Sequence, residues 1–274
     1  MTVIVSVKIN DGIVMAADSA GSMPSGQIYE HANKITNLCH GLPLGAMSTG
    51  SGGIGNESVE TLLKDLRRRF EGNERDFAAW RLDPDSFTVG EAAERLRTFL
   101  FDEKASMCPA ATNLQVRVCG YSAGRPLAEV WEVNITAQTC PPPRRIVDEE
   151  TFGILWDGQY EALNRLILGL GFDINQSLVK HGVAPEQATH LQAGLANDLY
   201  VTLSTPAMPI QDAIDLARFL VETTIGFIRF AVFLPKSVGG AVEIAAITKH
   251  EGFCWIQRKG LYSAHLASPL SHCP

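Results

Sequence analysis

The chain has 274 residues, a hydrophobic content of 46% and a formal net charge of -7. These values allow one large core and exclude a strongly basic nucleic-acid-binding protein. The only dense basic run is Arg67, Arg68 and Arg69, which is typical of the solvated side of a helix. No apolar segment approaches the roughly 18 residues of a membrane span, so we expect neither nucleic acid nor membrane among the partners.

Cysteine and histidine positions are equally informative. The six cysteines lie far apart without a C-x-x-C pair, and the seven histidines form no metal pattern, so neither a metal site nor a disulfide framework is indicated. The first apolar run is too short for a secretory signal and lacks a basic start. We therefore expect a cytoplasmic protein without a metal or a cofactor.

Hairpins are predicted over the first fifty residues. Residues 3–9 alternate with a period of two, the sequence Asn10-Asp11-Gly12 supplies a turn, and residues 13–17 return as a second strand. Because the second strand is almost wholly apolar, we expect both of its faces to be covered. Residues 34–38 and 42–48 form a further candidate hairpin.

Two amphipathic helices are predicted next. Residues 57–70 carry apolar side chains at helical spacing, with charges on the opposite side. The polar segment near 71–87 contains Pro84, so we interpret it as an insertion or loop. The sequence from Thr88 to Glu91 is a capping box, which predicts the start of the second helix.

The second half of the chain yields further hairpins and helices by the same criteria. In order, they are a hairpin over 114–121 and 127–135, a proline-rich linker over 140–143, a short helix over 160–168, inserted helical material near 172–206, a long helix over 209–227, and a hairpin over 242–248 and 253–257. Such segregated blocks favour antiparallel sheets with helices stacked outside. We expect a single domain over 1–262 and a flexible tail over 263–274.

Three residues near the N-terminus have the side chains that nucleophilic catalysis needs. Thr2 becomes the first residue once Met1 is removed, and an N-terminal threonine carries a general base in its own α-amine. The reference pKa of that amine is about 7.7 to 8.0, and a nearby cation lowers it. Lys34 is the candidate cation, and Asp18 is the candidate carboxylate that holds it.

The segments around these residues resemble a known family. Residues 11–19 (Asp-Gly-Ile-Val-Met-Ala-Ala-Asp-Ser), 33–35 (Asn-Lys-Ile) and 48–51 (Ser-Thr-Gly-Ser) resemble the proteasome β-subunit family, including the bacterial proteasome-like peptidases. The resemblance covers roughly the first 55 residues. It implies the N-terminal nucleophile hydrolase fold, an α+β four-layer αββα sandwich of two antiparallel sheets.

The same resemblance implies a set of site residues. Thr2 would be the nucleophile, Asp18 and Lys34 would complete the site, and the backbone N–H of Gly50 would stabilise the oxyanion. This site uses no cofactor.

Two later segments resemble further parts of the family's site. In residues 156–159, Asp157 stands where the family has a serine near the threonine amine. Residues 235–240 resemble the Asp-x-x-Ser-Gly-Gly loop and supply Ser237, but Pro235 stands near the place of the aspartate. A carboxylate at 157 could bind the ammonium form of the amine, which would raise its pKa. Two surface turns are the alternative explanation of these segments.

Residues 50–55 also match a different pattern. They read Gly-Ser-Gly-Gly-Ile-Gly between a strand and a helix, the outline of a dinucleotide fingerprint. A dinucleotide-binding unit also needs a second parallel strand that ends in an acidic residue about 20 positions later. Residues 71–76 are polar and not strand-like, so we do not expect NAD binding.

The expected function is that of a threonine peptidase that hydrolyses peptides or unfolded proteins. The resemblance also implies a ring-shaped homo-oligomer. Cleavage preference, ring size and any ATPase partner are not determined by the sequence. Two alternatives stay open, an N-terminal nucleophile amidase that acts on a small molecule and a catalytically inactive, ring-forming scaffold subunit.

Overall fold

The computed structural model describes residues 2–22, 27–72 and 75–259. Strands and helices follow one another in blocks along these ranges. The strands are β1 (Val3–Ile9), β2 (Gly12–Ala17), β3 (Gly21–Ser22), β4 (Ile28–Tyr29), β5 (Ile35–Asn37), β6 (Leu44–Gly50), β7 (Gly53–Ile54), β8 (Glu57–Ser58), β9 (Thr112–Gly120), β10 (Glu129–Ala137), β11 (Arg144–Val147), β12 (Gly153–Gly158), β13 (Glu243–Thr248) and β14 (Gly252–Gln257).

The helices lie mainly in two blocks between the strands. The α-helices are α1 (Val59–Glu71), α2 (Val89–Arg97), α3 (Glu161–Leu163), α4 (Ile174–Lys180), α5 (Pro185–Asp198) and α6 (Ile210–Phe230). Short 3₁₀ helices span Arg75–Trp80 and Ala105–Met107, and π-helical turns span Thr98–Asp102 and Asn164–Leu168. Across the described ranges, every helix is too short or too polar to cross a membrane.

Two antiparallel sheets of five strands each contain most of the strand residues. Sheet 1 has the order β12-β1-β2-β13-β14, and sheet 2 has the order β11-β10-β9-β6-β5. Two small sheets pair β3 with β4 and β7 with β8. The chain is therefore an α+β protein built on antiparallel sheets, as the block pattern of the sequence predicts.

Three apolar clusters hold these elements together. The first joins α1 and α2 to sheet 2 and includes Leu63 and Val118. The second joins α6 to sheet 1 and includes Leu220. The third contains residues of both sheets, among them Met15 and Met47. Close packing of these clusters accounts for most of the buried apolar surface and so for most of the favourable free energy of folding.

Strands β1 and β2 lie inside sheet 1 and are buried along their whole length. In β1, Val3 and Val5 belong to the cluster under α6, while Ile4 belongs to the cluster shared by the two sheets. Alternate side chains of the strand therefore pack against different layers. This burial fixes the start of β1, and with it the backbone that follows Thr2.

Capping residues define both helices that cover sheet 2. The Ser58 side chain accepts a hydrogen bond from the Thr61 N–H at the start of α1. The Thr88 hydroxyl accepts one from the Glu91 N–H, 3.0 Å away, at the start of α2. The predicted cap at Thr88 is thus confirmed, although the Glu91 carboxylate pairs with Arg95 and not with the Thr88 backbone.

Several sequence predictions can be compared directly with the elements. The hairpins β1–β2, β5–β6, β9–β10 and β13–β14 are confirmed by their antiparallel pairing. The segment near 71–87 contains a 3₁₀ helix, and the one near 172–206 contains α4 and α5. The tail over 263–274 lies outside the described residues.

The surface-turn alternative is wrong for the segment near 156–159, and two strands are absent from the sequence interpretation. Residues 156–158 belong to β12, which pairs with β1, and are not part of a turn. β11 and β12 are the outer strands of their sheets and are only partly buried. Because their residues do not alternate clearly between apolar and polar, periodicity does not reveal them.

Gly45 offers a test of how closely the two sheets are packed. A Cβ added there would lie 2.7 Å from Met15 Cε and 2.9 Å from Phe253 Cε2. We expect Gly45→Ala to lower the free energy of unfolding by about 1 to 3 kcal/mol through overpacking, as measured by urea denaturation. Gly226→Ala is the matched control, because open space surrounds that position of α6; there alanine should stabilise the helix by roughly 0.5 to 1 kcal/mol. An unchanged midpoint for Gly45→Ala would contradict this packing.

Candidate active site

Asp18 lies directly after β2 and is completely buried. Its Oδ1 accepts hydrogen bonds from the Val3 N–H at 2.9 Å and from Lys34 Nζ at 2.6 Å. Its Oδ2 accepts from the Ala20 N–H at 3.1 Å and the Gly239 N–H at 3.0 Å. Four donors thus compensate the loss of water around this carboxylate.

Lys34 lies one residue before β5 and brings its ammonium group to Asp18. Besides the bond to Asp18, Nζ donates to the Ala20 carbonyl oxygen at 2.6 Å, and the side chain is only 6% exposed. Burial lowers the pKa of Lys34 below its ordinary value, while the charge of Asp18 and its hydrogen bond oppose that change. The result is a buried cation held in one position by a carboxylate.

Thr2 is buried, and the peptide group that follows it is hydrogen-bonded through both its N–H and its carbonyl oxygen. The following N–H, that of Val3, donates to Asp18, and the Thr2 carbonyl oxygen accepts from the Gln159 N–H at 2.7 Å. Because the Val3 N–H and the Lys34 ammonium share one oxygen of Asp18, the peptide group that joins Thr2 to Val3 lies near that cation. The fold therefore brings Thr2, Asp18 and Lys34 together, whereas Met1 lies outside the described residues.

Gly158, at the end of β12, allows the backbone of this strand to approach Thr2 closely. Its φ is +84°, and a Cβ there would lie 1.9 Å from the Thr2 carbonyl oxygen and 3.0 Å from Thr49 Oγ1. Only glycine permits this approach and this conformation. Gly158 is therefore part of the site, and the Thr49 side chain of β6 lies beside it.

Gly50 ends β6 directly after Thr49, whose side chain lies beside Gly158. Its φ is +100°, and a Cβ would lie 2.4 Å from the Asn113 carbonyl oxygen. The position therefore requires glycine. Both neighbours of β6, β5 and β9, are antiparallel to it, so residues 50–55 lack the parallel-strand context of a dinucleotide fingerprint.

Asp157 is held by a guanidinium group. Its Oδ2 lies 3.1 Å from Nη2 of Arg117, whose side chain is 5% exposed, and its Oδ1 accepts from the Gly158 N–H at 2.6 Å. Asp157 pairs with Ile4 across β1 and β12, two residues from Thr2. The cation offsets the negative charge that Asp157 would otherwise place near Thr2.

Ser237 belongs to the loop over 235–240, which is bonded to the residues around Asp18. The Gly239 N–H donates to Asp18, and the Gly239 carbonyl oxygen accepts from the Ser19 N–H at 3.0 Å. Ser237 and Val238 are buried, so the surface-turn alternative is wrong for this segment. Within the described ranges, the Ser237 hydroxyl has no hydrogen-bond partner.

A second buried ion pair lies behind Asp18 and Lys34, and no sequence pattern indicates it. Lys259 follows β14, and its Nζ lies 3.4 Å from Oε1 of Glu243 at the start of β13. Glu243 pairs with Ala17 across β13 and β2. Long-range strand pairing brings these residues to the site, so no local spacing could have identified them.

Metal-binding side chains and thiols are the other groups that could carry chemistry. Among residues 2–22, 27–72 and 75–259, no group of three or more His, Cys, Asp or Glu side chains is arranged to hold a metal ion. The cysteines in these ranges are free thiols, and burial raises the pKa of Cys119 to about 12. A thiol with such a pKa is inert as a nucleophile at neutral pH.

No protein-family model and no curated protein sequence matches the chain.

The ion pair at Asp18 predicts unequal effects of removing its two members. Asp18→Asn leaves the Lys34 ammonium buried without a counter-charge, and we expect a loss of about 3 to 5 kcal/mol in the free energy of unfolding. Lys34→Met leaves the carboxylate with three backbone N–H donors, so we expect a smaller loss, about 1 to 3 kcal/mol. Urea denaturation at neutral pH measures both.

The control for this comparison is Asp215→Asn, which removes one member of the exposed pair Asp215–Arg218. A change below about 0.5 kcal/mol is expected there. Equal losses for Asp18→Asn and Lys34→Met, or a larger loss for Lys34→Met, would show that backbone donors do not hold Asp18 as described.

Proposed function

We propose that the chain is an N-terminal threonine peptidase, similar to the proteasome β-subunit family, that hydrolyses peptide bonds after removal of Met1. One observation carries the proposal. A single oxygen of buried Asp18 binds both the N–H that follows Thr2 and the ammonium group of Lys34. A fixed cation therefore lies beside the residue that would carry both the nucleophile and its base.

In the proposed mechanism, Thr2 Oγ bonds to the scissile carbonyl carbon while the Thr2 α-amine takes its proton. The C–N bond then breaks, the leaving amine receives that proton, and an ester remains on Thr2. Water, deprotonated by the same amine, hydrolyses the ester. The Lys34 charge lowers the pKa of the amine and keeps it neutral, because two neighbouring cations repel.

Three further residues have proposed roles around this centre. The Gly50 N–H would donate to the oxyanion of the tetrahedral intermediate. The Ser237 hydroxyl would hydrogen-bond to the Thr2 amine, which supplies the partner that it lacks among the described residues. Asp157 would orient the same amine, and the Arg117 guanidinium limits the rise in the amine's pKa that a lone carboxylate would cause.

We also propose how the sheets and helices are layered. The three apolar clusters support a four-layer αββα sandwich, in which α1 and α2 would lie outside sheet 2 and α6 outside sheet 1. Helix α5 buries Ala188 alone, and α4 buries no side chain, which supports an insertion near 172–206. We place the whole in one domain that acts in the cytoplasm.

Self-assembly into a ring is also part of the proposal. Three large apolar side chains lie exposed at the end of α6 and just after it, namely Phe230, Val232 and Phe233, the last of them 98% exposed. Exposed apolar patches of this kind favour contact with another protein, and contact between copies of the chain would cover them. Peptides or unfolded proteins are the proposed substrates.

A peptide epoxyketone tests the nucleophile directly, because its ketone bonds to the threonine Oγ and its epoxide is opened by the α-amine of the same residue. We expect intact-mass analysis to show loss of Met1 and one adduct per wild-type chain. Thr2→Ala should give no adduct and lower peptide hydrolysis by about 10³-fold or more, because a group that acts directly in the chemistry is lost. Thr2→Ser is the matched control and should still form the adduct.

Each other outcome has a defined meaning. Retained Met1 without an adduct would reject the peptidase and favour the inactive scaffold subunit. Adduct formation without hydrolysis of any peptide in a mixed library would favour an amidase for small molecules. Adduct formation by Thr2→Ala would place the nucleophile elsewhere in the chain.

A further inference from the structure

The buried ion pair Glu243–Lys259 has no part in the mechanism above. It nevertheless contacts the two chain segments that contain Asp18 and Lys34. The Lys259 side chain is 4% exposed and that of Glu243 is fully buried. Lys259 Nζ donates to Ser19 Oγ at 3.1 Å and to the Ala32 carbonyl oxygen at 2.6 Å. Ser19 directly follows Asp18, and Ala32 precedes Lys34 by two residues.

One ammonium group therefore fixes both segments that present the first ion pair. Ser19 and Ala32 are also bonded to each other, from the Ala32 N–H to the Ser19 carbonyl oxygen at 2.9 Å. The Ser19 hydroxyl in turn donates to the Ala241 carbonyl oxygen at 2.5 Å. Lys259 thus connects the strand β13 region with the segments on either side of the candidate site.

Burial of the Glu243–Lys259 ion pair costs free energy that a purely structural role would not explain. Neither oxygen of Glu243 accepts a hydrogen bond of good geometry within the described ranges, so its compensation comes from the Lys259 ammonium group and the Lys34 backbone N–H, both of which oppose the rise in its pKa. Burial lowers the pKa of Lys259 and raises that of Glu243, and their mutual attraction opposes both changes. Apolar residues of similar size would satisfy a core at least as well.

We propose that Glu243 and Lys259 are positioning residues of the peptidase, which hold the Asp18 and Lys34 segments together and set the electrostatic potential at Lys34 and at the Thr2 amine. This inference rests on the proposed function, because the amine acts as a base only in that mechanism.

The two members of the pair act on Lys34 with opposite signs. The charged groups around Lys34 are Asp18 and Glu243, which raise its pKa, and Lys259, which lowers it. Lys259 itself is affected by Glu243, Glu60 and Arg258, and Glu243 by Lys259 and Arg258. Removing the Lys259 charge should therefore raise the pKa of Lys34 and of the nearby Thr2 amine, and removing the Glu243 charge should lower both.

Two measurements on the full chain test this. The first is the pKa of Lys34, followed by NMR of ¹³C-labelled lysine, and the second is the rate of epoxyketone labelling as a function of pH. We expect Lys259→Met to move the Lys34 titration and the rising limb of the labelling profile to higher pH by roughly half a unit. Glu243→Gln should move both to lower pH.

Two further variants separate charge from packing. The double variant Lys259→Met/Glu243→Gln removes both charges together and should return both titrations close to wild type. Lys259→Arg retains the charge and should keep the wild-type profile. Circular dichroism establishes that each variant is folded, and Lys259→Gln, which also removes the charge but keeps a hydrogen-bond donor, replaces Lys259→Met if the latter is not.

The outcomes distinguish this inference from the proposed function. Shifts in the same direction for Lys259→Met and Glu243→Gln, or no shift in either titration, would overturn the positioning role even if the wild type is labelled. A wild type that is never labelled rejects the peptidase, and the Lys34 titration still decides whether the pair sets the potential at that residue.

Discussion

The carboxylate of Asp18 is the constraint on which the rest of the site depends. It is completely buried, and each of its four donors comes from a different place in the chain, the starts of β1 and β5, the segment after β2, and the loop before β13. A buried charge is tolerated only when its hydrogen-bonding capacity is filled. The stability of the fold and the geometry around Thr2 therefore depend on the same four donors, since loss of any one donor disturbs both.

The positions of these contacts along the chain explain which site residues can be predicted from the sequence. Thr2 lies just before β1, Asp18 just after its neighbour β2, and Lys34 just before β5, so all three fall within the first 55 residues, where the spacing and the resemblance predict that they meet. Gly158 and Glu243 reach the site because β12 pairs with β1 and β13 pairs with β2. Such pairing joins residues more than 150 positions apart and leaves no local pattern, so periodicity could not have identified either residue.

The same distinction holds for the fold. Helices α1, α2 and α6 each bury one continuous apolar face, so their spacing of apolar residues is a strong signal. β2 is predicted well because it is apolar throughout and buried on both faces. The outer strands β11 and β12 are half-exposed, and what defines them is hydrogen bonding to a neighbour and not their own composition. The other two outer strands, β5 and β14, are predicted because each forms a hairpin with the strand beside it in the sequence.

In the proposed mechanism, the charged groups around Thr2 follow one rule, which is that each carboxylate is paired with a cation. An α-amine acts as a base only when it is neutral, and each nearby carboxylate favours its protonated form. The three acidic residues described around the site are each joined to a buried cation, Asp18 to Lys34, Asp157 to Arg117 and Glu243 to Lys259. The carboxylates can then orient backbone and side chains while their net effect on the amine stays small. On this argument, aspartate at 157, where the resemblance implies serine, is compatible with catalysis because Arg117 is present.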